Sequence, residues 1–189
     1  MEVLKQAILD KGVILSDEVL KLDALLNHQV EPEMVMEMGR EFARRFAGES
    51  ITKVVTVESS GIPAAFTTAL QFGVPLVFAK RKKTLTSDQE NYSERVPSFT
   101  KGIVTDIMVS KAFLSKEDRV LFIDDIIANG DAARGLIRII ERAGSELVGM
   151  GVIVEKTFQK GAATIREQGI RVESLVKISG LSGGVIEFE

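Results

Sequence analysis

Two adjacent carboxylates, Asp124 and Asp125, follow an unbroken apolar run, Val120 to Ile123, and precede a short loop holding Asn129 and Gly130. Such a run, bounded by turn formers, is the pattern of a strand buried on both faces in a parallel sheet with helices above and below. Beyond the loop, Ala133, Leu136, Ile137 and Ile140 recur at helical spacing as far as Gly144. The order is strand, loop, helix, and the strand is expected to stop at the carboxylates. A loop of this kind presents the unpaired N–H groups of a helix's first turn to whatever lies beyond the strand's carboxyl end, and phosphate suits that environment. The acids need a separate purpose. Successive strand side chains point to opposite faces, so Asp124 and Asp125 cannot oppose one another as an acid–base pair across one bond. Carboxylates accept hydrogen bonds from hydroxyls, and beside a phosphate turn they fit a diol that carries a phosphate, such as a ribose 5-phosphate.

The run from Val120 to Ala132 resembles the signature by which type I phosphoribosyltransferases hold 5-phosphoribosyl 1-diphosphate (PRPP). Asn129 stands where that family usually has threonine, and in this the chain resembles the bacterial xanthine-specific branch. The resemblance implies that backbone N–H groups of Ala128, Asn129, Gly130, Asp131 and Ala132 hold the 5-phosphate. It also implies that Asp124 and Asp125 hold the ribose hydroxyls, with their charge on the side where an oxocarbenium-like transition state develops positive charge. Asp131 is an acid inside an anion loop, and its side chain is expected to turn to solvent. The segment Leu15 to Val30 resembles the hood of the same branch, which implies that Leu20 packs on the base plane and Asn27 hydrogen-bonds its edge. Lys156, at another strand end, is a donor only, so in a base site it selects a carbonyl oxygen over an amino group at the purine 6 position. Ala128 replaces an aspartate that handles the purine proton in the hypoxanthine–guanine branch. Xanthine, a more acidic purine, needs less help from a general base. The implied reaction is attack of a purine nitrogen on C1 of the ribose with loss of pyrophosphate. It uses Mg2+ with the donor, a metal of hydroxyl, carboxylate and diphosphate oxygens, without a dedicated protein metal site. The resemblance implies a homodimer as well.

These residues need a frame, and the chain supplies an α/β one. Strands are expected at Lys53–Val57, Leu76–Ala79, Ile103–Val109, Val120–Asp124, Leu147–Val154, Val172–Ile178 and Val185–Phe188. Helices alternate with most of them, which predicts a mainly parallel central sheet with helices on both faces. One domain, residues 1–189, is expected, with a small hood from about 13–30 and the C-terminal strands. The first helix should end at Gly12, the segment 13–30 should be a short extended piece and turn, and Pro32 should open a core-facing helix. After the first sheet strand come Ser59, Ser60 and Gly61, which the resemblance assigns to the pyrophosphate; the plainer reading is a serine helix cap. The bases from Lys80 and Arg81 to Lys83 read as a solvated turn or a polyanion site. The polar stretch Thr84 to Thr100 is long for an idle connection and is expected to be a lid. Gly149-Met150-Gly151 lies inside an apolar run with no third glycine after it, so it is not a dinucleotide fingerprint.

The formal charge of −3 gives no general attraction to nucleic acid or anionic membranes. The absence of cysteine excludes disulfides, zinc–thiolate sites and thiol nucleophiles. The first residues read as an amphipathic helix rather than a basic leader, and no apolar run approaches membrane-spanning length, so a cytoplasmic enzyme is expected. The only histidine, His28, is expected to be a hydrogen-bonded structural residue. Two readings compete with the enzyme for xanthine: a transferase for guanine or hypoxanthine, and a non-catalytic PRPP sensor. The sensor is disfavoured because the first fifty or so residues lack a basic face.

Overall fold

The computed structural model describes residues 1–82, 90–98 and 103–189. Lys83 and part of the expected lid, residues 84–89 and 99–100, lie outside the described residues. In chain order the elements are helix α1 (Glu2–Lys11), strands β1 (Val13–Ser16) and β2 (Val19–Lys21), a π-helical turn (Asp23–Asn27), α2 (Pro32–Arg45), β3 (Lys53–Val57), α3 (Ile62–Phe72), β4 (Leu76–Lys82), β5 (Asn91–Ser98), β6 (Ile103–Ser110), β7 (Arg119–Ile127), α4 (Asp131–Ala143), β8 (Glu146–Lys156), α5 (Gly161–Glu167), β9 (Val172–Gly180) and β10 (Glu187–Phe188). One sheet has the order β10-β9-β8-β7-β3-β4-β6-β5, and a separate hairpin joins β1 to β2. Strands β9, β8, β7, β3 and β4 run parallel to one another, while β10, β6 and β5 pair antiparallel.

The continuous apolar run of β7 is explained by what covers it. Leu121 and Ile123 pack into a core with Phe42, Met38 and Phe46 of the α2 side. Val120 and Phe122 pack into a second core with Leu136, Ile139 and Ile140 of α4. Both faces of the central strand are therefore buried, as the sequence pattern demands. Gly149 and Gly151 serve this packing on the neighbouring strand. A Cβ on either would lie 2.7 Å from the ring of Phe46 or Phe42, so the glycines let α2 lie close on the sheet. They have no part in a dinucleotide site.

Two expectations change. Strand β7 does not stop at the carboxylates: β3 pairs with it as far as Phe122, but β8 continues alongside to Ile127. Asp124 and Asp125 are thus strand residues at a place where one neighbour has ended, and the sheet opens there. The second change concerns residues 91–98, expected within a lid and found as edge strand β5, paired along its whole length with β6. Its inward positions are Tyr92, Glu94 and Val96. Glu94 hid the alternation, because its carboxylate is paired with Arg138 at 2.9 Å and Arg142 at 3.0 Å on α4. Among the described residues, no helix is long and apolar enough to cross a membrane.

Candidate active site

At the carboxyl end of β7, a cavity of about 180 Å³ is lined by Arg81, Val96, Pro97, Asp124 and the continuous stretch Ile126 to Ala133. Asp124 is buried, with one oxygen accepting the backbone N–H of Asp125 at 3.0 Å. Burial, and then the neighbouring charge of Asp125, push its carboxyl well above the ordinary value of 3.8. The N–H of Asp125 and the guanidinium of Arg81 act in the opposite sense. Gly130 adopts φ +79°, where a side chain would be strained, and α4 begins immediately after it. All five expected phosphate-loop residues, 128–132, line this one cavity together with Asp124. The side chain of Asp131 is not turned to solvent. It forms an ion pair with Arg134 at 2.7 Å, which keeps the acid's charge away from an incoming anion.

The loop after β3 closes against the same carboxylate. A Cβ on Gly61 would stand 2.4 Å from Oγ1 of Thr56 and 3.1 Å from Oδ1 of Asp124, so only glycine admits this approach. Neither Ser59 nor Ser60 caps α3: that helix has no side-chain cap, which removes the plainer reading of the two serines. The Glu58–Ser59 peptide is cis. Arg81 is anchored beside this loop, its Nε donating to the carbonyl of Glu58 at 3.3 Å. Its neighbour Lys80 lines a different hollow with Lys53, Phe78 and Phe113, so the structure separates the two bases.

The residues expected to hold the base lie at the end of β8, in the hairpin and in the π-helical turn after it. Glu155 and Lys156 are both buried at the end of β8 and have different partners. Burial pushes Glu155 up, but hydrogen bonds from Arg166, two at 2.6 Å, and from Ser174 outweigh it and hold the carboxyl below its usual range. Lys156 reaches the β1–β2 turn, where its Nζ donates to the carbonyl of Glu18 at 2.6 Å. Burial lowers its pKa, opposed by the charge of Glu18. Leu20, in β2 of the hairpin, is buried in the hydrophobic core. Asn27 is exposed, and its amide donates to Asp23 at 3.0 Å. His28 is not the hydrogen-bonded structural residue expected: its ring is 81% exposed and lies 3.9 Å from Asp23. Sequence reasoning missed Val96 and Pro97, for which no motif gave a signal, and Arg134, which helical spacing from Asp131 could have marked. Among the described residues, no group of three or more His, Cys, Asp or Glu side chains could hold a metal.

A phosphate loop and a carboxylate pair at the carboxyl edge of an α/β sheet define an enzyme class that handles a phosphorylated ribose. The chain belongs to the phosphoribosyltransferase family, since residues 22–177 match the model of the phosphoribosyl transferase domain. It is similar to a xanthine phosphoribosyltransferase of Moorella thermoacetica, 56% identical over 188 residues that cover all of this chain and 96% of the relative. A xanthine phosphoribosyltransferase of Bacillus thuringiensis is 48% identical, covering all of this chain and 95% of the relative. Among solved structures, an APRTase from Giardia lamblia complexed with 9-deazaadenine superposes with a TM-score of 0.77 at 22% identity, covering 92% of this chain and 97% of that one. An adenine phosphoribosyltransferase from Rhodothermus marinus gives a TM-score of 0.73 at 26% identity, covering 94% and 97%. These structures share the type I fold.

Proposed function

We propose that this chain is a xanthine phosphoribosyltransferase, which transfers the 5-phosphoribosyl group of PRPP to N9 of xanthine and yields XMP and pyrophosphate. One observation carries the reading: a buried, donor-only lysine at the end of β8 stands one strand from a phosphate loop and carboxylate pair, in a chain 56% identical to an enzyme of that name. Adenine offers an amino group where Lys156 needs an acceptor, so likeness in fold to adenine enzymes does not extend to the base.

The chemistry is a substitution at C1 of the ribose. The N9–C1 bond forms, the bond from C1 to pyrophosphate breaks, and positive charge grows on the ring between. Asp125 accepts hydrogen bonds from the ribose hydroxyls, and its charge stabilises the oxocarbenium-like ring. Backbone N–H groups of residues 128–132 fix the 5-phosphate, while Gly61 and Arg81 lie on the side from which pyrophosphate departs. Mg2+ would be held chiefly by hydroxyl and diphosphate oxygens of the substrate, with the carboxylate of Asp125 beside them, since it keeps water and phosphate ligands rather than demanding an all-protein cage. When bound, it would offset the charge of the leaving pyrophosphate.

The same reading makes the enzyme a cytoplasmic homodimer. Exposed Phe66 and Leu70, one turn apart on α3, and Phe78 and Phe113 supply apolar surface for self-association. Pyrophosphate release with PRPP, Mg2+ and either xanthine, guanine, hypoxanthine, adenine or orotate tests the assignment. Fastest turnover is expected with xanthine. No turnover with any base, alongside measurable PRPP binding, would replace the enzyme with a sensor.

A further inference from the structure

The phosphate loop does not stand alone. The N–H of Gly161, the first residue of α5, donates to the carbonyl of Ala128 at 3.0 Å. The carbonyl of Gly161 accepts the hydroxyl of Thr164 at 2.9 Å. That hydroxyl oxygen accepts Nη1 of Arg134 at 3.3 Å, and Nη2 of the same guanidinium donates to Asp131 at 2.7 Å. The chain of bonds therefore leaves the loop at residue 128 and returns to it at residue 131.

Two consequences follow for the loop. The carbonyls of Ala128 and Gly130 are occupied, by the N–H groups of Gly161 and Arg134 respectively. In a planar trans peptide the C=O and the next N–H point in opposite directions, so the N–H of Asn129 is held facing away from Gly161 and that of Asp131 away from the body of α4. The contact is also sterically tight. A Cβ on Gly161 would lie 2.3 Å from the oxygen of Ala128, 2.7 Å from the nitrogen of Gly130 and 2.8 Å from the carbonyl carbon of Asn129, all backbone atoms of the loop.

We propose that Gly161, Thr164 and Arg134 are positioning residues that brace the phosphate loop from behind and set the direction of its N–H groups. The inference rests on the loop being the 5-phosphate site of PRPP.

Titration of the whole enzyme, with Mg2+, against ribose 5-phosphate and separately against pyrophosphate tests it. Gly161→Ala should weaken ribose 5-phosphate by at least about tenfold, because a misplaced anion cradle loses its aligned donors. Pyrophosphate affinity should stay within about twofold, since the loop at residues 59–61 is independent of the brace. Thr164→Val, nearly isosteric and not expected to disturb folding, should cost ribose 5-phosphate about fivefold, the worth of one hydrogen bond. Gly39→Ala is the control for mere overpacking, as its Cβ would meet Thr67 at 2.6 Å in a different part of the molecule. It should lower Tm and leave both affinities unchanged. The brace is overturned if Thr164→Val and any folded Gly161→Ala bind ribose 5-phosphate as wild type does while Gly130→Ala binds it weakly. If Gly130→Ala also binds normally, the 5-phosphate assignment of the loop has failed instead.

Discussion

The two halves of the site differ in how their polar groups are satisfied. In the half proposed to hold PRPP, the carbonyls of Ala128 and Gly130 are already bonded within the protein and residues 128–132 line the cavity, so under the proposed function that half is arranged for its guest in advance. In the base half, Lys156 donates to the carbonyl of Glu18, and Asn27 donates to Asp23. Those groups already have partners. A base that enters must exchange one hydrogen bond for another, and an exchange contributes less than a bond to an unpaired group. Affinity should therefore come mainly from the donor half, and selectivity mainly from the base half.

Asp125→Asn is the harshest test of that division. Turnover should fall about 10²- to 10³-fold, the usual cost of removing one electrostatic stabiliser, with the fold intact by circular dichroism. Asp124→Asn should cost less, because burial already favours the neutral form of that carboxyl; equal losses would contradict the asymmetry. Next in size, Lys156→Ala should lower kcat/KM for xanthine about 10- to 100-fold through loss of a charged hydrogen bond. PRPP affinity should not change, and unaltered selectivity among bases would move recognition to the hairpin alone. Asp124→Asn also carries a pH signature. Its raised pKa means that the folded state holds this proton more tightly than the unfolded chain, so the contribution of Asp124 to stability falls as pH climbs above 3.8. The variant should melt higher at pH 7, by about 2–4 °C for each kcal/mol relieved, and the two curves should merge near pH 3. The smallest effect is expected at His28→Ala, within about 0.5 kcal/mol and with wild-type turnover, which would remove the only histidine from any role as general base.

Much of the frame was legible because its signals are local. The run Val120 to Ile123 could only be a doubly covered strand, and the glycines and prolines at 12, 32, 61 and 130 stand at element ends where the sequence puts them. The arrangement at the end of β7 was legible for the same reason, since strand, acids, loop and helix are consecutive. What failed was non-local. The length of β7 depends on β8, a separate segment that continues to pair after β3 has stopped. The strand character of residues 91–98 was masked by Glu94, an inward charge that only Arg138 and Arg142 make tolerable. Asp131 faces Arg134 because a helix brings positions three apart together, a pairing readable from the sequence but not weighed against solvent. Gly161 bears on the loop across thirty-odd residues of chain, and no spacing rule reports such a contact.

Both margins of the sheet are poor templates for another strand. At one side β10 is two residues long, and at the other β5 carries Pro97, which cannot donate to a ladder, and exposed Arg95. A short edge, a proline and an outward charge are the devices that stop sheets from adding to one another. Contact between copies is thus steered away from the open backbone and toward side-chain surfaces, which protects the protein from amyloid-like growth at high concentration.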